Sequence, residues 1–231
     1  MSVFFTLFII VFAIVGISTH RQRSRRRQLA FIGGYEFSPA LRNKFHQRRP
    51  ELNETQVNQV FDGLRDRFEI CNKAGRRMVA MPSQAVDDAW HEFILFTRIY
   101  QDFCRKALGR FLHHTPAEAM RGPRTAQDGI RRAWRLACGK QRINPRTPTR
   151  LPRLFAIDAK LDIANGFFYA LNCAQALAGT AGGSVAYCGS HIGCASGCGG
   201  DSGASGDSSS GGDDGGGNGS GCSGGCGGGG D

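Results

Sequence analysis

Charged side chains are absent from residues 1–19, and lysine and arginine are absent again from residue 161 to the last residue. The 29 basic side chains therefore all lie between Arg21 and Lys160, where 13 acids accompany them and the formal charge is +16. A charge of this size predicts attraction to anionic lipid, nucleic acid or acidic protein. It carries no information about the fold.

Large apolar side chains are scarce in residues 176–231, and 23 of the 33 glycines lie from Gly179 onward. A segment of this composition cannot bury a core, so we expect a disordered tail rich in glycine, serine and cysteine. The remaining residues have the composition of one compact domain.

The uncharged residues 1–19 are close to the lower length limit for a helix that crosses a hydrocarbon core of ~30 Å. The alternative interpretation is a cleaved secretory signal peptide, but such a peptide begins with basic residues that this run lacks. Basic residues follow the run instead: Arg21, Arg23, Arg25, Arg26 and Arg27. This asymmetry predicts an uncleaved single-pass anchor in the cell membrane, with the N-terminus outside and the main domain in the cytoplasm. We expect the arginines to contact lipid headgroups.

Residues 20–50 are interrupted by Gly33-Gly34, Pro39 and Pro50. We therefore expect a basic juxtamembrane segment and a linker there, with at most one turn of helix. Residues 51–175 show helical periodicity and are predicted to form a mainly α-helical domain. Its first helix begins at the capping box Asn53-Glu54-Thr55-Gln56.

A second helix is predicted from Ser83, which is a good N-cap, to Gly109, which is a natural stop. Its apolar residues recur three and four positions apart and form one broad core-facing stripe. These are Val86, Trp90, Phe93, Ile94, Thr97, Tyr100, Cys104, Ala107 and Leu108.

Four side chains in and after this helix are candidates for chemistry: Asp87, His91, His113 and His114. Asp87 lies one helical turn before His91, and the histidine pair follows Gly109 in a segment that could fold back. Imidazole and carboxylate are ligands that zinc and iron(II) accept. A metal-free acid–base site and a purely structural set of hydrogen bonds are the alternatives.

Residues 151–171 contain short apolar runs broken at Asn165-Gly166, which predicts a β-hairpin, with a helix as the competing prediction. A basic amphipathic helix precedes them. It carries Arg131, Arg132, Arg135 and Arg142. No DNA- or RNA-binding pattern frames this helix and no aromatic stacking platform accompanies it, so we favour a solvated or lipid-facing surface over nucleic acid as its partner.

Five of the nine cysteines lie in the tail, where Cys188, His191, Cys194 and Cys198 form a closely spaced set. These residue types suit zinc, so a second candidate metal site lies there. Structural zinc sites usually separate two ligand pairs by a longer loop, which argues against it.

The run VDDAWHEFILFTRIYQDFCRKALGRFLHHTP (Val86 to Pro116), the segment from Leu151 to Cys173 and the Cys/Gly-rich end carry a family resemblance. Together they resemble the bacterial members of the glycine-rich domain-containing proteins. The resemblance implies one globular unit followed by a glycine-rich tail. It brings no reaction, cofactor or catalytic residue to this chain.

These observations predict a binding or scaffolding domain at a membrane surface, with lipids and another protein as partners. The first alternative is a metal-dependent enzyme, hydrolytic or oxidative, that uses zinc or iron at the histidines. The second alternative is nonspecific nucleic-acid binding through the basic surface.

Overall fold

The structure is a computed structural model that describes residues 2–114, 123–171, 187–188 and 192. The prediction of a mainly α-helical fold is confirmed in these residues. Seven helices and one pair of two-residue strands succeed one another in the order α1 (Ser2–Gly33), α2 (Pro39–Arg48), α3 (Glu54–Ala74), α4 (Gln84–Leu95), α5 (Thr97–Leu108), α6 (Pro123–Lys140), α7 (Arg153–Lys160), β1 (Tyr169–Ala170) and β2 (Tyr187–Cys188).

α1 continues well past its apolar run. Its first part is exposed, with Phe4 at 82% and Phe12 at 74% of the accessible area of a fully exposed residue, whereas Ile32 near its end is buried. Among the described residues, the part of α1 from Phe4 to Gly33 is the one helical segment long and apolar enough to cross a membrane. The arginines do not interrupt it, because arginine is a good helix former. One helix therefore joins the apolar run to the folded domain.

The prediction of a linker over residues 20–50 is wrong at α2. Ser38 caps this helix, since its hydroxyl oxygen accepts the backbone N–H of Leu41 at 3.3 Å, and Pro39 occupies the first helical position. Leu41 and Phe45 are buried by the helix. Two buried positions in ten residues give too weak a periodicity to reveal the helix from sequence.

α3 is the central core helix and begins with the predicted capping box between Asn53 and Gln56. It packs antiparallel to the end of α1. Asn72 Nδ2 donates to Gln28 Oε1 at 2.9 Å. Arg65, which precedes Asn72 in α3, donates from Nε to the carbonyl of Tyr35, which follows Gln28 in the chain, so the two segments run in opposite directions. Tilted and edge-to-face rings fill the space between these helices and α5: Phe31, Tyr35, Phe37, Phe61, Phe68, Phe93 and Phe103.

The single helix predicted from Ser83 to Gly109 is divided in two. α4 ends and α5 begins at Phe96, which lies at φ −80° and ψ 58°. The predicted boundaries are confirmed, since the Ser83 hydroxyl accepts the N–H of Val86 and Gly109 ends α5 in the left-handed region. No glycine or proline marks the break, and the apolar period runs through it, so the pattern does not show it.

The predicted β-hairpin in residues 151–171 is wrong, and the competing helix prediction is confirmed by α7. The strand β1 pairs with β2 in parallel, not with a neighbouring strand of a hairpin. Asn165 and Gly166 instead lie in the turn that follows α7, where the N–H of Gly166 bonds the carbonyl of Ile163 at 2.8 Å. The tail from 193 onward lies outside the described residues, and its predicted disorder stays a prediction.

Candidate metal centre

The first turn of α4 is fixed by a buried carboxylate from α7. Asp158 is 1% exposed and accepts hydrogen bonds from the Ser83 hydroxyl at 2.6 Å and from the backbone N–H groups of Gln84 at 2.7 Å and Ala85 at 3.2 Å. The N–H of Phe167 adds a fourth bond at 2.9 Å. A negative charge at a helix N-terminus satisfies free N–H groups and complements the helix dipole. Asp158 therefore sets the position from which Asp87 projects.

Asp88 is adjacent to Asp87 but serves a different purpose. Its buried carboxylate accepts from Arg49 Nε at 2.8 Å and lies 3.3 Å from Arg48 Nη2. Glu92, one turn later, lies 3.2 Å from Arg48 Nη1. These pairs join the end of α2 to α4, so Asp88 and Glu92 are engaged in ion pairs and Asp87 is left facing the histidines.

Residues 109–114 bring the histidine pair back to α4. The buried Tyr100 hydroxyl accepts from Trp90 Nε1 at 3.1 Å and donates to the carbonyl of Leu112 at 2.6 Å. Burial raises the pKa of Tyr100, so the hydroxyl keeps the proton that it donates. This chain of hydrogen bonds ties α4, α5 and the returning segment together two residues before His114.

Asp87, His91 and His114 meet on one side of α4. His114 Nε2 lies 3.1 Å from Asp87 Oδ1, and His91 Nδ1 lies 3.6 Å from Asp87 Oδ2. The two imidazole rings have their centroids 4.2 Å apart. One ligand atom from each of the three residues lies within 4.8 Å of the others. Within the residues that the structure describes, this is the one such group that could hold a metal ion.

The two contacts use different oxygens of Asp87, and the contact of His114 is also a hydrogen bond. Because the three ligand atoms lie within 4.8 Å of one another, a small inward movement would let them share one ion. Zinc–nitrogen and zinc–oxygen bonds of ~2.0–2.2 Å place two tetrahedral ligand atoms about 3.3–3.6 Å apart. The distances of 3.1 Å and 3.6 Å fall around that range. The side chains of Asp87 and His114 are 18% and 17% exposed, whereas His91 is 39% exposed. The cluster is therefore held in place on the domain side and open to solvent at His91.

Trp90 packs against the cluster from the core of the domain. Its buried ring meets the ring of His114 at 4.7 Å and 67°, and the Arg67 guanidinium lies 5.3 Å from the centre of the Trp90 ring. The indole is therefore held by its hydrogen bond, by a cation and by an aromatic contact. A wall fixed in this way restricts the rotation of the imidazole that packs on it.

His113 does not belong to the cluster. Its ring packs against Phe111 at 4.8 Å, and the side chain is exposed. Of the four candidates, the structure brings three together. The two adjacent histidines therefore have different neighbours, since His113 packs on Phe111 whereas His114 contacts Asp87 and Trp90.

The other predicted sites are placed only in part. Arg21, Arg23, Arg25, Arg26 and Arg27 are all exposed on α1. Of the tail set, Cys188 lies in β2, and His191, Cys194 and Cys198 lie outside the described residues. Both predictions stay predictions.

Sequence reasoning missed the two residues that position the cluster, Asp158 and Tyr100. Asp158 lies in the segment predicted as a hairpin, where its side chain had no assigned role. Tyr100 was included in the core stripe, and its hydroxyl was the available signal, because a buried tyrosine hydroxyl usually has a hydrogen-bond partner.

Comparison with known proteins gives a family but no activity. The profile of the UCP032817-like family matches residues 27–192, more than two thirds of the chain, so the chain belongs to this family. No curated protein and no solved structure matched. The matched range contains the whole cluster of Asp87, His91 and His114, and also Asp158, which positions it. The match does not bear on the resemblance to the glycine-rich domain-containing proteins, which stays a prediction.

Proposed function

We propose that this member of the UCP032817-like family is a membrane-anchored domain that binds one divalent transition-metal ion through Asp87, His91 and His114. The observation that carries the proposal is the approach of three ligand atoms from α4 and residues 109–114 to within 4.8 Å of one another. Two imidazoles and one carboxylate form a ligand set that suits zinc and iron(II).

The surroundings of the cluster support a metal more than a set of ordinary hydrogen bonds. Among the residues that the structure describes, no lysine or arginine pairs with Asp87, although arginines hold both Asp88 and Glu92 on the same helix. A carboxylate shared by two imidazoles, with its neighbours neutralised separately, is left free to balance part of a divalent charge. The indole of Trp90, which is hydrogen-bonded to the Tyr100 hydroxyl, packs on the ring of His114 and helps to fix its orientation.

Zinc titration by calorimetry on the full chain in detergent micelles tests the proposal. Replacing Cys188, Cys194 and Cys198 by serine in every sample removes the predicted tail site. We expect one zinc per chain. His91→Ala and His114→Ala should each weaken binding by more than the ~10–100-fold that loss of an outer partner costs.

His113→Ala is the matched control, since it removes an imidazole one residue from His114 that packs on Phe111 instead. Its zinc affinity should equal that of the parent. Absence of stoichiometric zinc binding, or equal losses in His113→Ala and His114→Ala, would contradict the proposal.

A metal-dependent enzyme is the stronger of the two roles that such a site allows. Catalytic zinc sites keep three protein ligands and an open position, whereas structural sites are closed by four. The partly exposed His91 favours an open position. Azide added to the cobalt-substituted chain should shift its visible spectrum if a position is open; an unchanged spectrum would favour a closed site in a scaffolding domain.

The proposed location is the cell membrane, with the N-terminus outside and the domain in the cytoplasm. Two observations support it: the apolar side chains of α1 are unpacked, and exposed arginines follow them on the domain side. A reporter fused after Asp231 should be active in the cytoplasm. Activity confined to the outside would reverse the orientation.

A further inference from the structure

The end of the domain next to the exposed part of α1 carries an unusual concentration of positive charge. We call this end the basal face and define it by six residues: Lys73, Arg76, Arg77, Arg105, Lys106 and Arg110. They come from the last turn of α3, the residues after it, the last turn of α5 and the residues after Gly109.

The directions of three helices place these residues together. α3 runs antiparallel to α1, since Asn72 bonds Gln28. α5 does the same, because Phe103 packs on Phe31 at 5.9 Å while a Cβ on Gly109 would lie 3.2 Å from Gln28 Nε2. The ends of α3 and α5 therefore point back towards the N-terminal part of α1.

The length of α1 brings the basal face close to the end of the apolar run. From Thr19 to Gln28 is nine residues, or about 14 Å along a helix that rises ~1.5 Å per residue. The headgroup layer occupies roughly 5–8 Å of that distance outside the hydrocarbon core. If α1 spans the membrane, as the proposed function requires, the basal face lies on the cytoplasmic side, where the lipid headgroups meet the water.

The charges of the basal face are poorly neutralised by the protein. Asp102 is the single acid in segments 70–77 and 101–114, and it pairs with Arg105 at 2.7 Å. Arg110 donates to the carbonyl of Gly75 at 2.5 Å. Across the described part of the chain, no ion pair engages Lys73, Arg76 or Lys106. Five of the six cations therefore have no carboxylate partner in that part. The side chains of Arg105 and Asp102 are 72% and 59% exposed, so this surface pair is weak and Arg105 can also bind an external anion.

A groove of about 190 Å³ opens at this end of α5. It is lined by Gln101, Arg105, Gly109, Arg110 and Phe111. Two guanidinium groups beside one groove match the oxygens of a phosphodiester. Phe111, which lines the groove, is 43% exposed. An exposed aromatic ring among basic residues is typical of surfaces that enter the membrane interface.

We propose that the basal face is a second membrane contact, which binds anionic phospholipid with a headgroup phosphate between Arg105 and Arg110 and with Phe111 at the interface. The contact holds the domain against the bilayer instead of leaving it free to tilt on α1. It rests on the proposed anchoring and is independent of the metal.

Hydrogen exchange measured by mass spectrometry on the full chain in lipid nanodiscs tests this contact. Nanodiscs of phosphatidylcholine alone are compared with nanodiscs that also contain phosphatidylserine, at ~150 mM salt, where exposed charges are strongly screened beyond ~8 Å. We expect amides in residues 73–77 and 105–113 to exchange about tenfold more slowly in the anionic nanodiscs.

The variant Arg76→Gln/Arg105→Gln/Arg110→Gln should lose this difference. The control Lys44→Gln/Arg98→Gln/Lys160→Gln removes the same charge from exposed residues away from the basal face and should keep it. Equal exchange in both nanodiscs, or equal loss in both variants, would overturn the lipid contact.

Two further outcomes separate the proposal from its rivals. A chain that fails to insert into either nanodisc overturns the anchor and the basal contact together, whereas insertion without lipid-dependent protection overturns the basal contact alone. Stronger protection of the same amides by RNA than by anionic nanodiscs would identify the basal face as a nucleic-acid surface and overturn the lipid assignment.

Discussion

Replacement of Asp158 by asparagine should destabilise the domain more than the loss of one surface charge would. Asp158 Oδ1 accepts from the Ser83 hydroxyl and from the N–H of Ala85, and Oδ2 accepts from the N–H groups of Gln84 and Phe167. Asparagine keeps the shape and one of the two oxygens. Its NH2 group would replace either Oδ1, which accepts from the Ser83 hydroxyl and the N–H of Ala85, or Oδ2, which accepts from the N–H groups of Gln84 and Phe167, so that two of the four donors lose their acceptor.

The magnitude follows from these four contacts. Hydrogen bonds to a charged group contribute ~1.5–3 kcal/mol each, and a buried donor left without a partner costs ~1–3 kcal/mol. Two bonds are lost in Asp158→Asn, and the change is not additive because α4 and the turn after α7 can shift. We therefore expect the free energy of unfolding to fall by about 2–4 kcal/mol.

Urea unfolding of the full chain in detergent micelles, followed by circular dichroism, measures this loss. Asp162→Asn is the matched control, because Asp162 is an exposed acid four residues later and asparagine tolerates its positive φ of 53°. The control should stay within ~0.5 kcal/mol of the parent. A similar result for Asp158→Asn would refute the claim that this carboxylate anchors α4.

Three further predictions concern the core. Tyr100→Phe removes the hydroxyl between Trp90 and Leu112 and should cost ~1–3 kcal/mol of unfolding free energy, with zinc affinity about tenfold lower by calorimetry because the segment before His114 loses its tie. Gly63→Ala places a Cβ 2.8 Å from Val86 Cγ2 and should destabilise by ~1–3 kcal/mol in urea, whereas Gly139→Ala meets nothing within 4 Å and should stabilise α6 by ~0.5–1 kcal/mol. Burial raises the pKa of Cys138 to about 11. The stability contributed by its neutral thiol is therefore complete below an unfolded pKa of ~8.5 and is lost as the pH rises through about 11. Mass spectrometry should show that iodoacetamide at neutral pH modifies Cys138 in denaturant and not in the folded chain.

Helix ends with strong local signals could be predicted from the sequence, whereas several other boundaries could not. Asn53, Ser83 and Gly109 act through their own backbone or side chain within one turn, so their roles are readable in any context. The break at Phe96 depends on tertiary packing instead, because no glycine or proline marks it and the apolar period runs through it. The start of α2 carries a local signal in Ser38 and Pro39, but the weak apolar period that follows does not support a helix.

The members of the candidate site could be predicted, and their grouping could not. Asp87 and His91 are one turn apart, which fixes their proximity on any helix. The choice between His113 and His114 depends on the path of residues 109–114, which the Tyr100 hydroxyl directs from the core. Asp158 acts across 75 residues of sequence on Ser83, and no local pattern reports a contact of that range.

Anomalous diffraction at the zinc edge from crystals of the zinc-loaded chain tests the central claim most directly. The account predicts one peak about 2.0–2.2 Å from a nitrogen of His91, from a nitrogen of His114 and from a carboxylate oxygen of Asp87. A zinc-loaded crystal with no peak between these three side chains, or with its peak at His113, would contradict it.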